Sequence, residues 1–145
     1  HITSGGLVSM LPQGWEVWLD GGHNDSAGDM LAQQAAHWHA QDKKPLMLIL
    51  GMLSTKHPAE FLASLASHIT ALAAIPIPHE PKTMDNKALA LIAHAMGIKT
   101  AQSHMDSKGA VTWLTSLSSQ PARILITGSL YLAGHILGSY SQENK

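Results

Sequence analysis

The chain alternates short apolar runs with longer amphipathic stretches, and glycine-containing turns separate the two. The run PLMLILGM, from Pro45 to Met52, is apolar at nearly every position, which is typical of a strand buried on both faces of a parallel sheet. The longer stretches repeat apolar residues every three or four positions, which predicts amphipathic helices. We therefore expect a Rossmann-like, three-layer α/β domain, in which helices cover both faces of a mostly parallel sheet.

The same pattern predicts one domain over residues 1–145, built from five strand–helix pairs. The predicted strands span 15–22, 45–52, 71–78, 98–103 and 123–129, and the predicted helices span 25–41, 58–69, 86–97, 106–120 and 130–141. Gly97 is expected to end the third helix, and Asp106 or Ser107 to cap the fourth. The buried face of the first helix is expected to carry Met30, Leu31, Ala35 and Trp38.

Composition narrows the class of protein. Of the 145 residues, 45% are hydrophobic and 13% are charged, which is a globular composition, and the formal net charge of -1 provides no basic surface for nucleic acid or an anionic membrane. Cysteine is absent, so disulfides and thiolate zinc sites are excluded. The longest apolar run is far shorter than the roughly 20 residues of a spanning helix, and the N-terminus has no signal-peptide pattern. We expect a cytoplasmic protein without nucleic-acid or membrane partners.

Ligands of open parallel sheets bind beyond the carboxyl ends of the strands, where loops lead into helices. This rule directs attention to four predicted loops, at 20–26, 51–57, 76–83 and 127–131. Three of them carry polar side chains that are unusual for ordinary turns. The chain contains neither a GxxxxGK[ST] phosphate loop nor a GxGxxG fingerprint, so we do not expect it to cradle a triphosphate by itself.

The first loop reads DGGHND and begins at Asp20. Its two glycines permit a sharp bend or a close approach to a ligand. Asp20 is able to accept hydrogen bonds from ribose hydroxyls or to bind a metal ion, and His23 and Asn24 precede a helix N-terminus, which favours anions. A purely structural interpretation is equally open, in which Asn24 or Ser26 caps the helix and Asp20 accepts hydrogen bonds from loop amides.

The acidic residues around this loop do not predict a self-contained metal site. Hard cations need several converging oxygen ligands. Asp20, His23 and Asp25 are close in sequence, but Asp29 lies one helical turn further on and is expected to face solvent. We therefore assign no metal ligand.

The other two polar loops offer a cation and two hydroxyls. Lys56 lies next to a predicted helix start, where it is able to attract a carboxylate or a phosphate, although most lysines are simply solvated. Ser129 and Tyr131 lie where the last helix begins, and Ser129 has the alternative role of an ordinary helix cap.

Three segments together resemble one family. WLDGGHNDSAG resembles the Asp-Gly-Ala-His-Asn-Pro signature that opens the C-terminal domain of Mur-type amide ligases, and LGMLSTKHPAEFL is similar to that domain's Gly-Met-x-x-x-Lys-Asp segment. ILITGSLYLAGHIL resembles the Thr-Gly-Ser-Leu-Tyr-Leu segment of the folate branch, the bifunctional dihydrofolate synthase/folylpolyglutamate synthases. The chain departs from the pattern at Asp25, where the family has proline, and at His57, where it has an acid.

The resemblance implies an ATP-dependent ligase that converts a folate or dihydropteroate carboxylate into an acyl phosphate and joins it to L-glutamate. ATP and Mg²⁺ would be bound mainly by a central ATPase domain that this sequence does not contain, so the chain alone is expected to be inactive and the whole enzyme to be monomeric. The implied roles are catalysis for His23, nucleotide binding for Asp20 and Asn24, and glutamate binding for Lys56, Ser129 and Tyr131.

Two alternatives to the folate ligase stay open from the sequence. One is a stand-alone α/β module that binds a nucleotide or an amino acid without catalysis. The other is the corresponding domain of a different Mur-type amino-acid ligase.

Overall fold

Five parallel strands form a single sheet. The computed structural model describes residues 1–143, with side chains described through residue 138. The strands are β1 (Glu16–Leu19), β2 (Leu46–Leu50), β3 (Ala71–Ala74), β4 (Ala101–Ser103) and β5 (Arg123–Thr127). Their spatial order in the sheet is β1-β5-β2-β3-β4. Every pairing between these strands is parallel, which confirms the predicted α/β class.

Helices cover both faces of the sheet, as predicted. They are α1 (Gly6–Ser9), α2 (Asp25–Asp42), α3 (Pro58–Leu62), α4 (Asn86–Ala95), α5 (Ser107–Ser116) and α6 (Leu130–Glu143). The buried residues of α2, α3 and α4 belong to one hydrophobic core, and those of α5 and α6, with α1 beside them, belong to a second. No helix within the described residues is long and apolar enough to cross a membrane.

The central strand β2 shows why its sequence is apolar throughout. Leu46, Leu48 and Leu50 point into the first core, whereas Met47 and Ile49 point into the second. Successive side chains of a strand face opposite sides, so a strand covered on both sides needs an apolar residue at every position. All five residues of β2 are buried.

The helix boundaries that rest on capping residues are confirmed. Asp106 is the N-cap of α5, and its carboxylate accepts a hydrogen bond from the backbone N–H of Gly109. Gly97 follows α4 with φ +100°, a left-handed conformation that ends a helix.

The predicted buried face of α2 is wrong at one residue. Met30 is 70% exposed, and the buried residues of α2 are Gly28, Leu31, Ala32, Ala35 and Trp38. Adjacent residues differ by about 100° around a helix, which moves Met30 away from the stripe that contains Leu31, Ala35 and Trp38.

Two other elements differ from the prediction. The helix predicted over 58–69 ends at Leu62, and a separate 3₁₀ turn follows at Ala66–His68. Apolar residues still recur at helical spacing there, at Phe61, Leu65 and Ile69, and all three are buried. The pattern therefore located the buried face, but it did not reveal that the backbone tightens into a 3₁₀ turn, as chains often do near helix ends. The four-residue helix α1 was not predicted because one turn is too short to show periodicity.

An ion-pair network closes the amino-terminal edge of the sheet. The Nη2 atom of Arg123 lies 3.0 Å from a carboxylate oxygen of Glu16 and 2.7 Å from one of Asp42, and Lys44 Nζ lies 2.9 Å from Glu16. The Arg123 guanidinium, whose side chain is 4% exposed, also lies 4.7 Å from the ring centre of Trp38. Arg123 and Lys44 together thus link β1, β5, the end of α2 and the segment before β2.

This network predicts a loss of stability in acid. The hydrogen bond from Arg123 lowers the pKa of Asp42, and for Glu16 the hydrogen bonds from Lys44, Trp18 and Arg123 outweigh burial and lower its pKa as well. A carboxylate with a lowered pKa stabilises the fold above its unfolded pKa, and this contribution is lost as the pH falls through its folded pKa. Urea unfolding should therefore show a decline in the free energy of unfolding below about pH 4.5 that belongs to this network. Burial also lowers the pKa of His104, so a separate decline through that group begins below about pH 6.5.

The double variant Glu16→Gln/Asp42→Asn tests the origin of the decline below about pH 4.5. It should be less stable at neutral pH and show a shallower acid slope, because its side chains no longer titrate. Glu60→Gln removes an exposed carboxylate outside the network and should retain the full slope. An unchanged slope in the double variant would contradict the assignment.

The packing of α2 against α3 depends on a glycine. A Cβ atom on Gly28 would overlap the backbone carbonyl oxygen of Phe61, and a backbone atom cannot move aside as a side chain can. Phe61 itself is fully buried in the first core. The close approach of the two helices therefore requires glycine at this position. The contact holds the first turn of α2 against α3.

Gly28→Ala should destabilise the domain by about 1–3 kcal/mol, because the added methyl group forces the two helices apart. Gly134→Ala is a matched control, since a Cβ there meets no atom within 4 Å and lies within α6. It should stabilise the domain by about 0.5–1 kcal/mol through helix propensity. Urea unfolding midpoints of the two variants should therefore shift in opposite directions.

Candidate functional site

The loops that leave β1, β2 and β5 diverge at the carboxyl edge of the sheet. The helices that follow β1 and β2 lie on one face, whereas α6, which follows β5, lies on the other. Since β5 lies between β1 and β2, its loop separates from both neighbours. Such a reversal opens a crevice, which is where open α/β sheets bind ligands.

Backbone contacts hold these three loops together beneath the crevice. The backbone N–H of Gly128 donates to the carbonyl of Gly22 at 3.0 Å, and that of Gly51 donates to the carbonyl of Thr127 at 3.3 Å. Gly128 has φ +109°, and a Cβ on it would lie 2.5 Å from the carbonyl oxygen of Gly51. Glycine is required at position 128 both for its conformation and for the space.

Above this junction lies a pocket of about 230 Å³ that brings together residues of all three loops. It is lined by His23, Leu53, Lys56, Gly128, Ser129, Leu130 and Tyr131. Sites for drug-sized ligands are larger, about 300–1,000 Å³, so this pocket matches a group of amino-acid size. Four of the six side chains predicted as site residues therefore share one cavity.

The imidazole of His23 lines the pocket. Its Nδ1 atom is buried and has no hydrogen-bond partner among the described residues. A buried polar atom without a partner is costly in either tautomer of the ring. His23 therefore brings unused hydrogen-bonding capacity to the edge of the pocket.

The Ser129 hydroxyl has a structural role as well as a place in the pocket. Its oxygen accepts hydrogen bonds from the backbone N–H groups of Tyr131, at 3.0 Å, and Leu132, at 3.4 Å, which caps α6. The alternative role of helix cap is thus present. Because the oxygen accepts in both contacts, the hydroxyl hydrogen is still able to donate to a ligand. The ring of Tyr131 projects more freely, since this residue is 60% exposed.

Asp20 and Asn24 make the contacts of the structural interpretation. One carboxylate oxygen of Asp20 accepts from the backbone N–H of Gly22 at 2.7 Å, and Asn24 caps α2 by accepting from Ala27 at 2.9 Å. Neither residue lines the pocket that contains His23. Asp20 instead lines a neighbouring groove of about 530 Å³, together with Trp18, Met30 and Leu130, and Asn24 lines neither cavity.

Comparisons with known proteins give the family. The model of the family described as dihydrofolate synthetase, C-terminal domain, matches residues 8–139. The chain belongs to this family. No match was found among curated proteins.

Solved structures resemble the chain over most of its length. Folylpolyglutamate synthase of Mycobacterium tuberculosis, complexed with ADP and AMPPCP, is 26% identical with a TM-score of 0.74, and the match covers 86% of this chain and 29% of that one. FolC of E. coli, in complex with DHPP and ADP, is 20% identical with a TM-score of 0.71, and the match covers 89% and 29%. A bifunctional folylpolyglutamate synthase/dihydrofolate synthase with Mn, AMPPNP and L-glutamate bound is 21% identical with a TM-score of 0.66, covering 85% and 29%.

The chain spans less than a third of the length of the relatives it matches. The two structures under 25% identity share the fold with it. The fold and the family thus agree with the resemblance that the three sequence segments suggested.

The loop at 76–83 supports the candidate site without lining its pocket. The Thr83 hydroxyl oxygen accepts from the backbone N–H of Ile77 at 2.7 Å, and Thr83 pairs with Leu53 in an isolated bridge. Leu53 lines the pocket, so the loop after β3 fixes the loop after β2.

Sequence reasoning missed the apolar lining residues Leu53 and Leu130. Both lie in the predicted loops at 51–57 and 127–131, but an apolar side chain in a loop gives no signal of a binding role in the sequence. The two aspartates in the first turns of α2 do not line the pocket. Asp25 accepts a hydrogen bond from the backbone N–H of Ser26, and Asp29 accepts one from the Ser64 hydroxyl. Within the described residues no group of three or more His, Cys, Asp or Glu side chains is arranged to hold a metal ion.

Proposed function

We propose that the chain is the C-terminal domain of an ATP-dependent ligase that adds L-glutamate to dihydropteroate or folates. The observation that carries this proposal is the pocket shared by His23, Lys56, Ser129 and Tyr131 in a member of the dihydrofolate synthetase family. These residues come from three separate loops. Together they offer a ligand in one cavity a positive charge, an imidazole and two hydroxyl groups.

The pocket is proposed to bind the glutamate. Lys56 is half-buried there and offers a positive charge, while the hydroxyls of Ser129 and Tyr131 offer hydrogen bonds, which together suit a carboxylate. The pocket's size matches an amino acid, and a solved relative carries L-glutamate.

The neighbouring groove is proposed to receive the nucleotide. Asp20 lines it with its carboxylate at the end of β1, where a free oxygen is able to accept from ribose hydroxyls. Asn24 does not line this groove, so its predicted nucleotide contact would have to form when the rest of the enzyme closes on the domain, through the amide nitrogen that the cap leaves unused. We assign no magnesium ligand to this chain, because Asp20 has no clustered partners among the described residues. The ion would be held by the remainder of the enzyme.

The proposed reaction has two steps. The γ-phosphoryl group of ATP passes to the folate or dihydropteroate carboxylate, giving ADP and an acyl phosphate. The amine of glutamate then attacks the acyl carbon, the C–O bond to the phosphate breaks, phosphate leaves, and the amine loses a proton. The imidazole of His23 lines the pocket and is proposed to stabilise negative charge on the reacting oxygens.

The chain spans less than a third of the length of its relatives, so this domain would form one side of a site that is completed by another domain. We infer that the remaining length of the enzyme supplies an ATPase domain, and that closure of the two completes the site. The chain by itself would then be inactive.

Reading the coding DNA upstream of His1 tests the assignment to a larger ligase. The ATPase domain of the family carries a Gly-Lys-Gly-Ser phosphate loop, and an arginine in a Gly-Arg pair that contacts ATP precedes the C-terminal domain. We therefore expect this phosphate loop in frame upstream and a Gly-Arg pair just before His1. A start codon at or near His1, with no ATPase domain, would favour the stand-alone binding module and contradict the ligase.

Lys56→Ala in the longer enzyme should raise the KM for glutamate about tenfold or more, because a charge-assisted hydrogen bond contributes about 1.5–3 kcal/mol. The KM for ATP should change little. Lys99→Ala, which removes an exposed lysine before β4, is the matched control and should leave both constants unchanged. Initial rates with each substrate varied would measure these effects. An increase confined to ATP would move Lys56 to the nucleotide side.

A further inference from the structure

Leu130 lies between the two cavities of the site. It lines the pocket that contains His23 and Lys56, and it also lines the groove that contains Asp20. It is the one described residue common to both linings. As the first residue of α6 it follows the buried Ser129 directly, so the helix cap fixes its position.

The side chain of Leu130 rests on the backbone of Gly21. A Cβ on Gly21 would lie 2.5 Å from Cδ2 of Leu130 and 3.3 Å from its Cγ. Gly21 does not have a positive φ, so its backbone conformation does not require glycine. Instead, the absence of a side chain at position 21 leaves the space in which the Leu130 side chain lies against the loop after β1.

Packing into a core does not explain this contact. Leu130 is 68% exposed, so it contributes little to either hydrophobic core. An exposed leucine is ordinary on a protein surface, but this one is held at the boundary between two cavities that carry different polar groups. Its position points to a role in the site.

We propose that Leu130 is a positioning residue that separates the nucleotide groove from the glutamate pocket and keeps water away from the boundary where the transferred group passes. This inference rests on the proposed function. In that reaction the acyl phosphate forms next to the nucleotide and is consumed next to the glutamate, so the intermediate must lie at the boundary that Leu130 occupies.

The chemistry gives this role a measurable consequence. If water reaches the acyl phosphate before glutamate does, its oxygen attacks the acyl carbon, the C–O bond to phosphate breaks, and the original carboxylate and free phosphate result. One ATP is then converted to ADP and phosphate without an amide. Excluding water from reactive intermediates is a general function of closed active sites. A shorter side chain at position 130 should therefore uncouple ATP consumption from amide formation.

The experiment measures the ratio of ADP formed to amide formed in the longer enzyme, with dihydropteroate, ATP and L-glutamate as substrates. The unmodified enzyme should form about one ADP for each amide, as the reaction requires. Leu130→Ala should raise the ratio severalfold and raise the KM for glutamate, because the pocket becomes continuous with the groove. Leu130→Met restores apolar bulk and should return the ratio close to that of the unmodified enzyme.

Leu91→Ala is the matched control, because Leu91 is 72% exposed on α4, away from both cavities. It should leave the ratio unchanged, and thermal unfolding should show that both alanine variants fold. An unchanged ratio in Leu130→Ala, or an equal rise in Leu91→Ala, would overturn the inference while leaving the proposed function intact. An unmodified enzyme that makes no glutamate-dependent amide would overturn the proposed function and this inference with it.

Discussion

The candidate site depends on a close approach of backbones at Gly128. With φ +109° and no side chain, Gly128 lies against the carbonyl of Gly51 and donates to the carbonyl of Gly22. This one residue thus joins the ends of β5, β2 and β1. The side chains that line the pocket are carried by the segments that leave this junction, so their spacing is inherited from it. A loop that moved independently would not hold Lys56 and Tyr131 around the same cavity.

The ion pairs that stabilise the fold and the pocket proposed to bind glutamate lie at opposite edges of the sheet. Arg123 begins β5 and binds Glu16 and Asp42 at the amino-terminal edge, whereas Gly128 follows the same strand at the carboxyl edge. β5 is buried throughout and pairs with both β1 and β2, so a firm anchor at one end fixes the direction of the loop at the other. The carboxyl edge is thereby free to carry exposed groups such as Leu130 and Tyr131, which contribute little to the core.

Much of this arrangement is predictable because its causes are local or periodic. The apolar residues of β2 indicate a strand covered on both faces, and capping by Asp106 follows from the preference of acidic side chains for helix N-termini. The loops of the site could be located because ligands bind at the carboxyl ends of parallel strands. What the sequence does not contain is the order of strands, which depends on contacts between distant segments. The division into a pocket with Lys56 and a groove with Asp20 follows from that order, and so does the place of Leu130.

The structural and the ligand-binding interpretation of the loop after β1 are compatible with each other. Asn24 caps α2 and Asp20 accepts from the backbone of Gly22, yet each contact occupies only part of the side chain's hydrogen-bonding capacity. The same holds for Ser129, whose oxygen caps α6 while its hydrogen stays able to donate. A side chain held by a structural contact also loses less conformational freedom when a ligand binds. These contacts therefore do not argue against binding, since those of Asp20 and Ser129 hold polar groups in position at the edge of a cavity.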